Sequence, residues 1–499
     1  MASERHVDHV VIGAGFAGLC AAIKLGRDGE RDLVVLERAS DVGGTWRDNT
    51  YPGAACDVPS QLYSFSFARN PEWSRSFSQQ SEIQAYLRRV ARESGVLDRF
   101  RFDTTVHDAR WDEARRRWVT TTSDGTYVSR TLISGAGSLV EPRLPDIDGL
   151  DSFQGRVFHS ARWDHDTDLT GKRVAVIGTG ASAIQIVPEL GKVVDHLDVY
   201  QRTAPWVLPR HDRPYTGVER ALFRRLPLLQ KLYRAGIYWG RETWVAGFTV
   251  EPRVMKLVQR LGSRHIARGI DDPGLRRRVT PDFTLGCKRV LQSNTYYPTL
   301  SRDHVDLVTD RIVKVTGDAV ITADGSERPV DAIVVATGFQ TTDPPIAHHI
   351  AGRGGRTLAE TWAESGMQAY KGTTVHGFPN YFQIVGPNTG LGHSSMVFVI
   401  ESQVGYVRDA LRQMRSGRWS EAEPGEEEQR DWNATLQRRM ARTVWNTGGC
   451  ASWYLDDHGR NTLLWPRTTV TMRRQLTSFD VGAYDVVSHR ATLAGTVDR

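Results

Sequence analysis

The chain of 499 residues has a formal net charge of +6, with 40% hydrophobic and 24% charged residues. This length is too great for one core and predicts two or three domains, and the composition is that of an ordinary globular enzyme. Because no nucleic-acid-binding motif accompanies the mild positive charge, it predicts no nucleic-acid partner, but it suits a protein that binds several phosphates.

Two strand–helix–strand patterns, one at the start of the chain and one near its middle, predict two dinucleotide-binding domains. The first pattern is a buried strand, a helix and a second strand over residues 7–12, 16–27 and 32–37. The second repeats it over residues 174–177, a helix that reaches about residue 190, and residues 198–201. The predicted fold class is therefore α/β with two Rossmann-like domains.

Other segments complete the predicted architecture. Residues 110–132 alternate as a β-meander around Asp124-Gly125, and residues 306–330 alternate around a second hairpin signal. Residues 205–281 are rich in Arg, Leu, Trp and Tyr and predict a helical insertion that caps the cofactor domains, with a membrane-surface helix as the alternative. Residues 421–429 are acidic and predict a solvated helix face.

A complete GxGxxG motif, residues 13–18, joins the first strand to the first helix. Gly13 allows the tight turn, Gly15 lets a pyrophosphate approach the backbone, and Gly18 lets helix and strand pack closely. The N-terminus of the helix supplies N–H donors for the phosphates. Glu37 ends the next strand, where an acid accepts hydrogen bonds from ribose hydroxyls. Together these features predict a dinucleotide site.

The second motif, GTGASA over residues 178–183, has the form GxGxxA. The acid at the end of the next strand is missing, and Arg202-Thr203 stand there instead. A guanidinium binds a 2′-phosphate in a bidentate manner, so this motif predicts NADPH rather than NADH. The alternative is that Arg202 is a solvated residue at the end of a strand.

Two longer patterns narrow the class of enzyme. Residues 153–164, FQGRVFHSARWD, match FxGxxxHxxxW(P/D) at every fixed position, and residues 43–57, GGTWRDNTYPGAACD, are similar to GGxWxxxxYPGxxxD. Over nearly its whole length the chain resembles the type I Baeyer–Villiger monooxygenases, which are FAD- and NADPH-dependent class B flavoprotein monooxygenases. The resemblance implies oxygenation of ketones by NADPH and O2 to esters or lactones through a C4a-peroxyflavin, with sulfoxidation of thioethers as a side activity.

The resemblance also implies roles for individual residues. Arg289 corresponds to the active-site arginine of the family, and Asp57 to the aspartate beside the flavin that orients it. Lys288 adds a second cation for the 2′-phosphate, and Trp453 corresponds to a tryptophan on a mobile loop that meets the nicotinamide. The expected cofactor contacts are Gly13, Gly15, Gly18, Glu37, Arg38, Gly44, Thr45, Trp46, Asp57, Tyr63, Val106, Gly178, Gly180, Ser182, Arg202, Thr203, Lys288 and Trp453.

These assignments divide the chain into five segments. The FAD-binding domain is expected over residues 1–141 and 343–499, the NADPH-binding domain over residues 142–208 and 286–342, and the helical insertion over residues 209–285. His159 is expected in the linker between the domains, where it holds their orientation rather than acting as a base. The substrate pocket is expected among residues 51–63, 289–295 and 390–396 and Trp453, a set that leaves cyclic, linear, aryl and steroid ketones open.

The cysteines and the N-terminus bear on location. The four cysteines, Cys20, Cys56, Cys287 and Cys450, are far apart and form no CxxC pair, which argues against a disulfide framework or a zinc site, so no metal is expected. The N-terminus lacks the apolar core of a signal peptide, and no stretch reaches the roughly 18 apolar residues of a membrane span. The expected location is the cytoplasm, and the expected state is a monomer or a homodimer.

Three other functions compete with the ketone oxygenase. An N-hydroxylating or S-oxygenating flavin monooxygenase would share the fold, but its variant of the fingerprint lacks the Trp163-Asp164 ending. A disulfide reductase needs a redox cysteine pair, and Cys56 has no partner at that spacing. A non-oxygenating NADPH flavin reductase or a nucleotide-binding module would be expected to lack Arg289 or to have a degraded phosphate motif.

Overall fold

The computed structural model describes residues 4–251 and 253–488, and its N-terminal part is built on a largely parallel sheet. The strands are β1 (Glu4–Ile12), β2 (Leu33–Leu36), β3 (Phe100–Arg101), β4 (Val106–Asp112), β5 (Arg117–Thr122) and β6 (Gly125–Ser134). The helices are α1 (Phe16–Arg27), α2 (Thr45–Asp48) and α3 (Gln80–Glu93). Strand β1 pairs in parallel with β2 and β6, while β4, β5 and β6 form the antiparallel meander that the turn at Asp124-Gly125 predicts.

A second parallel sheet follows in the chain. Its elements begin with β7 (Arg156–His159), β8 (Arg173–Ile177), α4 (Ala183–Leu190), β9 (His196–Tyr200) and the short β10 (Val207–Leu208). After the helical insertion come β11 (Leu291–Gln292), β12 (Val305–Val308), β13 (Ile312–Val315), β14 (Ala319–Thr322), β15 (Glu327–Pro329) and β16 (Ala332–Val335). The strand order is β12-β9-β8-β16-β7, all parallel, and β13, β14 and β15 form antiparallel hairpins beside it. His159 ends the edge strand β7, so the expectation that it lies in a linker is wrong.

The insertion is helical, as its periodicity predicts. Its helices are α5 (Gly217–Arg225), α6 (Pro227–Glu242), α7 (Arg253–Gly269) and α8 (Pro273–Val279), with the helical turn Ala246–Val250 before α7 and the short helix α9 (Tyr296–Leu300) after β11. Thr216 and Glu219 form a capping box that starts α5, and Asp272 caps α8. Buried apolar residues of the insertion join the core around α4, as do the buried Tyr296 and Tyr297.

The C-terminal part returns to the first sheet. Its elements are β17 (Ile350–Ala351), α10 (Leu358–Ser365), β18 (Tyr381–Gln383), α11 (Met396–Arg415), β19 (Glu421–Pro424), α12 (Glu426–Met440), α13 (Val444–Thr447), α14 (Thr469–Gln475) and β20 (Tyr484–Val487). Strand β17 pairs with β4 and β18 pairs with β6, so this segment completes the first sheet. The outermost parts of the predicted domains, residues 1–3 and 489–499, lie outside the described residues.

The acidic segment at residues 421–429 corrects one prediction. Only its second half begins a helix, because residues 421–424 form β19, which pairs with β20. Glu421 and Glu423 are buried, at 4% and 7% exposure, although a solvated face was expected. Arg353 forms ion pairs with both carboxylates, and Arg116 pairs with Glu421 at 2.6 Å. These arginines supply the compensating charge that burial of the glutamates requires.

The cysteines correct a second prediction. Cys287 and Cys450 are joined by a disulfide across 163 residues of chain, whereas Cys20 and Cys56 are free and buried. The spacing of the cysteines in the sequence could not reveal this pair. The two cysteines meet because the segment after α13, which carries Cys450, packs against the segment that carries Cys287, just before Lys288 and Arg289. Within residues 4–251 and 253–488, none of the helices combines the length and hydrophobicity that crossing a bilayer requires.

Candidate functional site

The first phosphate cradle, residues 13–18, has the geometry that its three glycines predict. Gly13 adopts a φ of +93°, and a Cβ on it would lie 2.8 Å from the carbonyl oxygen of Gly135. A Cβ on Gly18 would lie 1.8 Å from the carbonyl oxygen of Gly13, so only glycine allows this packing. Helix α1 starts immediately after Gly15, and a Cβ on Gly15 would lie 3.8 Å from the Cα of Gly44.

Glu37 closes this cradle from the end of β2. Its buried carboxylate accepts hydrogen bonds from the amides of Ala14, at 2.7 Å, and Ala39, at 3.0 Å. Arg47 adds an ion pair at 3.0 Å. The neighbouring Arg38 is exposed and pairs with Glu141. Glu37 is therefore fixed against the glycine loop, where a ribose would approach it.

Further predicted cofactor residues surround the first cradle. Helix α2 places Thr45 at the surface and turns Trp46 inward, where its indole Nε1 donates to the hydroxyl of Tyr63 at 3.0 Å. The two rings meet edge to face with centroids 5.5 Å apart. Burial raises the pKa of Tyr63 well above its ordinary value, so its hydroxyl stays protonated. Val106 is the first residue of β4.

The second phosphate cradle, residues 178–183, is open to solvent. Gly178 has a φ of +119°, and a Cβ on it would lie 2.5 Å from the carbonyl oxygen of Ala336. A Cβ on Gly180 would meet nothing within 4 Å, so space for a ligand lies directly over this residue. Ser182 precedes α4 without capping it through its side chain. The positive end of the helix dipole of α4 lies beside this loop, which favours a bound phosphate.

Two cations lie beside the second cradle. Arg202 is exposed after β9, and the carbonyl of the adjacent Thr203 accepts a hydrogen bond from Thr179 Oγ1 at 3.2 Å. Burial lowers the pKa of Lys288, and the positive charge of Arg202 lowers it further. Repulsion between two neighbouring cations is relieved by an anion, so this site fits a phosphate. The donors and the open glycine backbone of both cradles fit dinucleotides.

Asp57, from the N-terminal part of the chain, forms an ion pair with Arg289, which follows the helical insertion. Nε and Nη2 of Arg289 both donate to Oδ2 of Asp57, at 2.8 and 2.5 Å. Burial by itself raises the pKa of Asp57, but the charge and hydrogen bonds of Arg289, together with the charges of Arg241 and Arg210, outweigh burial, so the pKa is lowered. The charge of Asp57 raises the pKa of Arg289 above its ordinary value. The pair is therefore ionised, and its guanidinium is held in one plane.

A cavity that is partly open to solvent lies beside this pair. The expected pocket segments contribute to its wall through residues such as Asp57, Gln292 and Ser394. Trp453, by contrast, is 45% exposed and is not among the lining residues. Its neighbour Tyr454 is buried next to Arg289, and burial raises the pKa of Tyr454 to about 12.

The insertion forms part of the cavity wall, which the sequence reasoning missed. Arg241 and Trp244 come from the end of α6 and the residues after it, and Phe248 comes from the following helical turn. The sequence did contain a signal, since two tryptophans flank an arginine within residues 239–244. No local pattern, however, predicts that this segment faces Arg289. The insertion is thus a wall of the site as well as a cap.

Two dinucleotide cradles, each on its own sheet, and a half-buried arginine–aspartate pair that lines a cavity define an oxidoreductase that uses two dinucleotide cofactors. Residues 7–232 match the model of the flavin-binding monooxygenase-like family. A Baeyer-Villiger monooxygenase of Streptomyces coelicolor is 53% identical over 97% of this chain and 93% of its own length. One from Pseudomonas aeruginosa is 50% identical over 98% and 93%.

Solved structures give the same result. A steroid monooxygenase bound to NADP has a TM-score of 0.84 and 33% identity, over 97% of this chain and 99% of that one. A cyclohexanone monooxygenase from Rhodococcus sp. Phi1, bound to NADP+, has a TM-score of 0.87 and 28% identity, over 97% and 100%. The chain belongs to the Baeyer–Villiger monooxygenase family, which confirms the resemblance that residues 43–57 and 153–164 indicate.

Proposed function

We propose that this enzyme uses NADPH, FAD and O2 to insert one oxygen atom next to the carbonyl of a ketone, giving an ester or a lactone. The observation that carries the proposal is the ionised Asp57–Arg289 pair at the wall of a cavity, in a chain that has two dinucleotide cradles. Its 53% identity to a Baeyer-Villiger monooxygenase supports the same reaction. Thioethers, which need only an oxygen donor, are proposed as secondary substrates.

The two cradles would hold the two cofactors. When bound, FAD supplies the activated oxygen and NADPH supplies the electrons. The proposed FAD contacts are Gly13, Gly15, Gly18, Glu37, Arg38, Gly44, Thr45, Trp46, Asp57, Tyr63 and Val106. The proposed NADPH contacts are Gly178, Gly180, Ser182, Arg202, Thr203, Lys288 and Trp453. Two basic side chains without a strand-end acid favour the 2′-phosphate of NADPH.

Arg289 is proposed to stabilise negative charge on oxygen in the cavity. An arginine remains charged at any working pH, so it favours the anionic form of a neighbouring oxygen donor and the oxyanion that forms when that donor attacks a carbonyl. Arg289 contacts Asp57 through Nε and Nη2 and also forms a hydrogen bond with Tyr454, and the remaining N–H groups of its guanidinium would donate to such an oxygen. Asp57 acts as a positioning residue, because it fixes the plane of the guanidinium. Trp244 and Phe248 would exclude water from the same space.

Incubation of the purified FAD-loaded enzyme with NADPH, ¹⁸O2 and a panel of cyclic, linear, aryl and steroid ketones tests this function. We expect at least one ketone to yield an ester or lactone with a single ¹⁸O atom, detected by mass spectrometry, with NADPH consumed in equal amount. Consumption of NADPH with release of H2O2 and no ester from any ketone would contradict the proposal. Thioethers in the same panel test the secondary activity.

The cellular location and the assembly state are further parts of the proposal. We place the enzyme in the cytoplasm, where NADPH is available, as a monomer or a homodimer. Cell fractionation with an antibody to the protein tests the first statement. Sedimentation of the holoenzyme over a range of concentrations tests the second, because only a reversible dimer changes its sedimentation with dilution.

A further inference from the structure

Arg241 places a second guanidinium in the cavity beside Arg289. Its Nη2 donates to the backbone carbonyl of Asp57 at 3.2 Å, while Arg289 holds the carboxylate of the same residue. Both arginines line the cavity. One guanidinium therefore contacts the backbone carbonyl of Asp57 and the other contacts its side-chain carboxylate. The two guanidiniums lie close together because they share this one residue.

Arg241 has no carboxylate partner among the described residues. The nearest acid in sequence, Glu242, is committed elsewhere: its Oε1 lies 3.0 Å from His393 Nε2 and accepts from Thr469 Oγ1 at 2.7 Å. The other oxygen of Glu242 accepts from the amide of Thr469 at 3.1 Å. The acid that shares the cavity, Asp57, forms its ion pair with Arg289.

The charge of the cavity is thus unbalanced. Two arginines face one carboxylate, and the surplus charge belongs to Arg241, whose pKa is lowered chiefly by burial. A partly buried cation without a partner is costly, and a ligand anion removes that cost. The role of a fixed cation for anionic oxygen is already filled by Arg289, so the reaction itself does not require Arg241.

We propose that the cavity selects a ketone that carries a carboxylate on a short carbon chain. Arg241 binds the carboxylate through its remaining N–H donors, and the carbonyl lies beside Arg289. The planar fork of a guanidinium matches a carboxylate in bidentate geometry. The carbon chain between the two groups packs on Trp244 and Phe248, which line the same wall. This inference rests on the proposed oxygenation of ketones.

Isosteric pairs of oxo acids and oxo amides test the charge requirement. The probes are 4-oxopentanoate, 5-oxohexanoate and 6-oxoheptanoate with their amides, which differ in charge and hardly in shape. Using the FAD-loaded enzyme and NADPH, kcat/KM is measured by ester formation. We expect at least one acid to exceed its amide about tenfold or more, and Arg241→Gln to lower this acid-to-amide ratio to about one, with Arg241→Lys in between.

A binding measurement accompanies the rates. Titration of the holoenzyme with the preferred oxo acid, without NADPH and followed by the absorbance of the bound flavin, should give a Kd at least tenfold higher for Arg241→Gln. Arg253→Gln is the matched control, because this arginine of α7 has an 89% exposed side chain and should leave both the ratio and the Kd unchanged. The flavin content of each variant shows that it has folded.

The outcomes separate the two proposals. Ester formation from neutral ketones, with an acid-to-amide ratio near one in the wild type or a ratio that Arg241→Gln does not alter, overturns the carboxylate inference alone. Absence of ester from every ketone, charged or neutral, overturns the proposed function and this inference with it.

Discussion

Gln185 and Ala55 form a closed pair of hydrogen bonds between the two nucleotide-binding units. Nε2 of Gln185 donates to the carbonyl of Ala55 at 2.9 Å, and the amide of Ala55 donates to Oε1 at 3.3 Å. The hydroxyl of Tyr51 donates to the same Oε1 at 3.0 Å. Beside them Gly53, with a φ of +80°, lies so close that a Cβ would be 2.8 Å from the carbonyl oxygen of Gln185. Helix α4 of the second cradle is thereby joined to the loop that carries Asp57.

Replacing Gln185 by Ala should weaken this contact between α4 and the loop before Asp57. The change removes three hydrogen bonds and leaves the polar groups of Tyr51 and Ala55 without partners, which should lower the free energy of unfolding by about 1–3 kcal/mol. Denaturant titration followed by flavin fluorescence measures this. Lys192→Ala, just after the far end of α4, is the control and should have little effect because its pair with Glu189 is exposed. Equal losses in the two variants would contradict the prediction.

The loop before Asp57 illustrates what the sequence can and cannot predict. The glycines of both cradles and the strands around them were predictable, because a required φ and a hydrophobic period are local properties. The pairing of Gln185 with Ala55, the position of Arg241 in the cavity and the bond between Cys287 and Cys450 join residues more than 100 positions apart. No spacing rule relates such residues, so only the assembled fold reveals them.

Arg289→Ala should uncouple the enzyme. The variant should still bind FAD and oxidise NADPH, but ester formation should fall by about 10²–10³-fold, the usual loss when one donor to an oxyanion is removed. Product and NADPH consumption are measured together. Arg289→Lys should restore little, because an ammonium cannot make the two-nitrogen contact with Asp57. Ester formation at the wild-type rate would refute the role of Arg289.

Arg202→Ala should weaken binding of NADPH far more than that of NADH. Loss of a charge-assisted contact with the 2′-phosphate should weaken the binding free energy of NADPH by about 1.5–3 kcal/mol. The KM for NADPH should therefore rise about ten- to a hundredfold. Steady-state kinetics with both nucleotides gives the two KM values. Lys172→Ala, exposed just before β8, serves as the control. Equal changes in both KM values would remove the argument from the 2′-phosphate.

The disulfide between Cys287 and Cys450 should stabilise the oxidised protein. It closes a loop of 163 residues, and a bond of this kind contributes about 2–4 kcal/mol. Cys287→Ser, Cys450→Ser and the double variant should therefore lose the same stability, and a dithiol should bring the wild type to their level. Additive losses from the two single variants would contradict a shared bond. In the proposed cytoplasmic location thiols are kept reduced, so alkylation followed by mass spectrometry should find the reduced form in freshly lysed cells.

His159 should make the stability of the enzyme depend on pH. Burial, followed by the charge of Arg162, lowers its pKa to about 4, whereas the unfolded chain has the ordinary value of about 6.5. Between these values the unfolded state binds the proton and the folded state does not. Stability should therefore fall as the pH drops from about 6.5 toward 4, by up to about 1.4 kcal/mol per pH unit.

Denaturant titrations at several pH values test this dependence. His159→Gln should show a shallower loss of stability over that range than the wild type, because it lacks the group that takes up the proton on unfolding. His348→Gln, whose side chain is 53% exposed, should retain the wild-type slope. If the slopes of the wild type and of His159→Gln coincide, the pH dependence comes from other groups and the buried imidazole of His159 is protonated without cost.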